Sequence, residues 1–146
     1  MNERRNLNRG YMKLIVWQDA RELYKLTWKI FKVFPFVLKK VASNQISSVD
    51  SVHRNIAESY CRKSLFEYLN FLNFAQSSLG ESVSGTNTYY YSDQISKTDY
   101  EEWDVLGYKL ENGLKKLIES LEVKKHAGTW KESQIIEESN AIYQNT

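Results

Sequence analysis

Asn55 and Glu58 stand three residues apart in the stretch SVHRNIAESYCRKS (51–64), with His53 just before the pair and Cys61 and Arg62 just after it. An amide, a carboxylate, an imidazole and a thiol this close could supply a proton donor, a nucleophile or a metal ligand. General acid–base work needs a second carboxylate or a histidine facing the first. On a helix, His53 lies two residues from Asn55 and five from Glu58, so it points elsewhere. His126, the other histidine, is far away in the chain. Metal binding would need a spacing such as His-x-x-x-His or Cys-x-x-Cys, which the sequence lacks. Cys61 is the single cysteine and reads as a small packing residue. There is no P-loop, no GxGxxG and no Gly-x-Ser-x-Gly. The pattern predicts no catalysis, no metal and no cofactor. What remains for Asn55 and Glu58 is a structural polar motif. Glu58 is expected to pair with Arg62 or a neighbouring helix, and Asn55 with a backbone or side-chain partner. An unpaired buried polar group costs about 1–3 kcal/mol, and buried polar pairs can fix helix register. Partner recognition stays open beside that reading.

The elements that must position these residues read as helices. In VWQDARELYKLTWKIFKVFP (16–35), Ala20, Leu23, Thr27, Ile30 and Phe34 recur in steps of three and four. Pro35 is expected to close that helix. A weaker period through Val41, Val49, Val52, Ile56 and Tyr60 predicts a second helix over 37–62. Its run SNQISSVDS (43–51) is rich in poor helix formers, so packing must hold it. Ser64 and Glu67 form a capping box that opens a third helix, with Leu65, Leu69, Leu72, Gln76, Leu79 and Val83 on one stripe. Phe66, Phe71 and Phe74 lie off the stripe, which marks them as candidate residues of an oligomer interface. By propensity alone SVSGTNTYYYSDQ (82–94) reads as a loop or short strand. A second capping box, TDYE (98–101), starts a fourth helix with Trp103, Leu106, Leu110, Leu114, Leu117 and Leu121 on one face, stopped at Gly128.

Four such helices on short connections predict an all-α fold, an antiparallel up-down four-helix bundle. Residues 1–15 are expected to form an N-terminal arm, 16–127 the bundle, and 128–146 a tail with room for a short helix. One proline and six glycines are few for an all-β fold, and no apolar run reaches the roughly 18 residues of a membrane span. No charged-then-apolar leader is visible and the lone cysteine forms no internal disulfide, so a cytoplasmic protein is expected.

Net charge is +2, but it is divided unevenly: residues 1–63 carry +8 and residues 64–146 carry −6. Such a division predicts either a basic face for nucleic acid or complementary packing within or between subunits. The candidate nucleic-acid contacts are Arg4, Arg5, Arg9, Lys25, Lys29, Lys32, Arg54, Arg62 and Lys63. An ordinary solvated face explains the same lysines. The Tyr triplet 89–91 suits core or interface packing better than base stacking.

Several stretches also resemble a known family. YMKLIVWQDA (11–20), FP (34–35), SVHRNIAES (51–59) and RKSLFEYLNFLNFAQSSLGE (62–81) are similar to the motifs of the four-helix-bundle proteins encoded in intervening sequences of 23S rRNA genes. The resemblance spans about residues 11 to 122. It departs at His53, where the family has Pro, and at Ser59, where it has Gly. ISSVDS (46–51) stands where many members carry an Arg doublet. The resemblance implies that 64–92 is one helix, with DQIS (93–96) as the following turn. It also implies a ring-shaped homo-oligomer, a pentamer, without known catalysis. Through related accessory proteins of diversity-generating retroelements, it implies structured RNA or a reverse transcriptase–RNA complex as partner. The alternative is a protein-interaction module, or a passenger of the rRNA gene, with no nucleic-acid contact. Neither reading involves a membrane or a small-molecule substrate.

Overall fold

In a computed structural model of the chain, which describes residues 7–128, four helices follow one another: α1 (Ile15–Phe31), α2 (Lys39–Tyr60), α3 (Leu65–Tyr91) and α4 (Lys97–Ala127). The described residues form no strand. A 3-10 segment, Leu7–Lys13, precedes α1, and a 3-10 turn, Phe36–Leu38, leads into α2. Each helix packs on its sequence neighbours and α1 packs on α4, which closes the square. Cross-links show that neighbours run antiparallel. Gln45 meets Thr86 while Ser51 meets Ser78, and Trp103 meets Thr27 while Lys109 meets Asp19. The end carrying the α1–α2 and α3–α4 connections is called upper here; the end carrying the α2–α3 connection is lower. No helix among the described residues is long and apolar enough to cross a membrane.

The core is the set of inward stripes. Ala20, Leu23, Thr27 and Ile30 of α1 are buried as their spacing predicts, and Val49, Val52 and Ile56 do the same for α2. Trp103, Leu110, Leu114, Leu117 and Leu121 line α4. Fully burying one such side chain contributes about 1.5–3 kcal/mol, so these stripes dominate the stability. Thr27 is the one polar residue of its stripe. Its hydroxyl donates to the Leu23 carbonyl at 2.7 Å and accepts from the Trp103 indole N–H at 2.9 Å, joining α1 to α4.

Several expectations are corrected. Helix α1 stops at Phe31, four residues before Pro35; Phe34 N–H turns back to the Phe31 carbonyl at 3.1 Å and the two rings pack at 4.6 Å. In α2 the inward positions are Ala42 and Gln45 rather than Val41, and Tyr60 is only half-buried. In α3 the stripe passes through Ala75, Ser82 and Thr86, leaving Gln76 exposed and Val83 half-buried. Steps of 72, 75, 79, 82 and 86 keep the 3.5-residue spacing of a helix packed along a neighbour. In α4 the cap is Ser96, whose hydroxyl accepts from Asp99 N–H at 3.1 Å, and not Thr98. Leu106 of the predicted α4 face is half-buried, while Gly107 and Gly113 are inward. Cys61 is exposed, not packed, because it follows the last turn of α2.

Other expectations hold. Glu67 N–H bonds the Ser64 hydroxyl at 3.1 Å, and α3 runs unbroken through 82–91. Gly128 ends α4 with a left-handed φ of 66°, a conformation glycine takes without penalty. Residues 7–14 of the predicted arm pack on α1 and α2: Leu14 is fully buried, and Gly10 lies so close to Tyr60 that a β-carbon would collide with its ring. The predicted tail from 129 onward lies outside the described residues.

Candidate functional site

The Asn55–Glu58 motif sits at the lower end of a polar seam between α2 and α3. Gln45, 3% exposed, donates through Nε2 to the Ser82 carbonyl at 2.9 Å and to Thr86 Oγ1 at 2.8 Å. One turn down, Ser48 donates to the Ser78 carbonyl at 3.1 Å. Below that, the Ser51 and Ser78 hydroxyls share a bond of 2.9 Å. Asn55 finishes the seam by donating to the Ser51 carbonyl at 2.8 Å and to its hydroxyl at 2.9 Å. This is why a run of poor helix formers folds as helix. Serines let two backbones approach, and hydroxyls bond across the gap, while those of Ser82 and Thr86 also turn back to the carbonyls of Ser78 and Ser82 in their own helix. Gly85 belongs to the same close approach, since a β-carbon there would strike Gln45 Oε1.

Glu58 pairs with Arg62, as its spacing predicts, but on the surface: the two side chains are 46% and 38% exposed. Val52, Ile56 and Ser59 take the inward positions around them. The Arg62 guanidinium lies over the Phe71 ring at 4.6 Å. His53 bonds Asp50 at 2.7 Å and packs against Trp17 and Tyr24, so it faces α1 and not Glu58. Burial alone would raise the Asp50 carboxyl, but bonds from His53 and Arg54 outweigh it and hold the group below its ordinary range. Burial pushes Asp19 upward against the pull of Lys109, and burial drives the Tyr68 phenol well up.

The predicted cations do not form one patch. Lys25 is paired with Glu22 at 3.2 Å, Arg54 with Asp50 at 2.6 Å, and Arg62 with Glu58. Lys29 shares the cleft between α1 and α4 with Lys25, Glu22, Glu102 and Lys109. Lys32 instead borders a groove between α1 and α2. Arg9 and Lys63 are exposed at the lower end, where Lys125 of α4 also lies. Arg4 and Arg5 are outside the described residues.

The three phenylalanines also divide. Phe66 is 67% exposed and faces α4, with the Lys125 ammonium 5.0 Å from its ring. Phe71 and Phe74 pack edge-to-face at 5.5 Å on the α2 side, and Phe74 is 47% exposed. Tyr89 packs on Phe31 and Tyr90 stacks on Tyr100 at 4.5 Å, while Tyr91 is exposed. Sequence reasoning missed the exposed apolar side chains Trp28, Val33, Phe36 and Val37, at the upper end of α1 and in its connection to α2. Trp28 carried a signal: it lies one residue off the inward stripe, on the side of Lys25, Lys29 and Lys32.

Among the described residues no group of three or more His, Cys, Asp or Glu is placed to hold a metal ion. Fold and surface together define a small all-α helical-bundle protein with exposed aromatic and basic surfaces. The chain belongs to the family of 23S rRNA-intervening sequence proteins, whose family model matches residues 12–118. No curated protein matches the chain.

Proposed function

We propose that this chain is a non-catalytic protein that assembles with copies of itself and serves as an accessory scaffold for structured RNA, or for an RNA–protein complex such as one containing a reverse transcriptase. The observation that carries the reading is apolar surface left over after the core is closed. Trp28, Phe36, Val37, Phe66 and Phe74 are all at least 47% exposed on a bundle whose inward stripes are already buried. Groups of that size outside a core mark association surfaces. Arg9, Lys63 and Lys125 at the lower end support the RNA contact, because repetition in an oligomer multiplies the phosphates neutralised. The pairing of Lys25, Arg54 and Arg62 with acids favours a second reading, a protein-interaction module without nucleic acid.

Sedimentation of the purified protein, followed by titration with a structured RNA across a salt series, tests the proposal. A particle several times the 17.2 kDa chain, binding RNA with a steep salt slope, is expected. A 17.2 kDa particle overturns the assembly, and no RNA binding at low salt leaves only the protein-interaction reading.

A further inference from the structure

Two surfaces of opposite chemistry lie on different sides of the bundle at the same height. The first is the groove of about 700 Å³ between the upper halves of α1 and α2, lined in part by Tyr24, Trp28, Phe34, Phe36 and Ile46. Its apolar rings are exposed, with Trp28 at 50% and Phe36 at 86%. Lys32 and Lys39 line it too, and Lys40 follows on α2. Among the described residues none of these three lysines makes an ion pair; Lys39 lies over the Phe36 ring at 5.7 Å. Asp50 is the one acid in the groove, and His53 and Arg54 already occupy it.

The second surface is the outer side of the first turns of α4, centred on Glu101 and Asp104. Glu102 and Val105 lie at its edge, where they line the α1–α4 cleft with Lys25, Lys29 and Lys109. Residues 99–104 hold Asp99, Glu101, Glu102 and Asp104 with no basic residue among them. Only Glu101 has an ion pair, at 3.8 Å from Lys97, and the others have none among the described residues. Val105 and Tyr108 stand next to these acids, 73% and 65% exposed. Heights follow from the cross-links between antiparallel α1 and α4. Trp103 is level with Thr27 and Lys109 with Asp19, so Asp99 to Val105 spans the level of about Tyr24 to Phe31. That is the level of the groove.

We infer that the groove between α1 and α2 receives the acidic, apolar outer surface of α4 from a second copy of the chain. The inference rests on the self-assembly proposed above and names the two faces that meet. They differ, so the contact is head-to-tail, and a head-to-tail contact yields either a closed ring or an open filament. Matched heights allow successive copies to stand side by side without climbing, which a closed ring requires. The uneven division of charge along the chain then acquires a use: basic first half against acidic second half, between subunits. Nucleic acid fits the groove less well, because it offers phosphate to Phe34, Phe36 and Ile46, which gain nothing from that charge.

The test uses charge reversal on each face, at exposed positions where the fold tolerates it, checked by circular dichroism. Lys32→Glu with Lys39→Glu, and separately Glu101→Lys with Asp104→Lys, are each expected to reduce the sedimenting mass at least twofold at a concentration where the wild type is assembled. Mixing the two variants one to one is expected to restore a large particle, because each reversed face then finds its complement. If either double variant assembles like the wild type, or the mixture stays small, the inference fails while self-assembly stands. A wild type that is itself monomeric overturns the self-assembly beneath it.

Discussion

Replacing Thr27 by valine tests whether one buried hydrogen bond holds α1 against α4. Thr27 and Trp103 are both fully buried, and the Thr27 hydroxyl is the acceptor the indole N–H has, at 2.9 Å. Valine keeps the branched shape and fills the same space, so almost no cavity forms. What changes is that a buried N–H loses its acceptor, which costs about 1–3 kcal/mol. The Leu23 carbonyl also loses the hydroxyl at 2.7 Å, but its helical bond remains. Thr27→Ser makes the opposite trade: it keeps the acceptor and removes a methyl, at about 0.5–1.5 kcal/mol by analogy with other single-methyl deletions. Valine is therefore expected to be the costlier substitution, although it is the more hydrophobic. In the Trp103→Phe background the N–H is gone, and Thr27→Val should then cost about 1 kcal/mol less than it does alone. Urea unfolding followed by circular dichroism, at one fixed protein concentration, measures all four members of the cycle. A Thr27→Val protein as stable as Thr27→Ser, or a cost that ignores the residue at 103, refutes the reasoning.

The seam between α2 and α3 gives a second expectation. Gln45→Met keeps the volume but loses two bonds and should cost about 1–2 kcal/mol, while Gln45→Ala adds a cavity and should cost about 2–4 kcal/mol in the same unfolding assay. Asp50 gives a pH dependence. Its folded pKa is depressed, so its contribution is present above the unfolded value and disappears as pH falls through the folded one. Asp50→Asn should therefore lower stability at pH 7, by an amount that shrinks as pH falls below the ordinary carboxylate range, as thermal melts across that range would show. The Glu58–Arg62 pair is exposed, so Glu58→Ala should cost less than about 1 kcal/mol, and less again in 1 M salt.

The long apolar stripes were legible because leucine, isoleucine and tryptophan recur at helical spacing whatever their partners. Residues 82–91 were legible only through family resemblance. Ser82, Gly85 and Thr86 are weak helix formers, and the reason they are helical is Gln45, 41 residues before Thr86. The same partner explains the misplaced α3 stripe. Gln76 and Val83 look like continuations by size, but a helix meeting serines and a glutamine turns its small polar side inward. Asn55 and Glu58 were recognisable as a motif, yet their parting was not, Asn55 into the seam and Glu58 to the surface, because burial depends on which neighbours reach inward first. The groove between α1 and α2 was not legible, since it arises where α1 stops short of Pro35.

A consequence follows from the rungs of serine, glutamine and asparagine. They act as teeth as well as glue. Sliding α3 one turn along α2 is a step of about 5.4 Å, and it would break the Gln45, Ser48 and Ser51 contacts together. Partial slippage gains nothing, so α2 and α3 travel as one body. Among the described residues, Thr27 to Trp103 and Asp19 to Lys109 tie α1 to α4 by polar bonds. The α1–α4 contact is therefore the less polar seam of the two, and α1 brings to it one wall of the groove while α4 brings the acids.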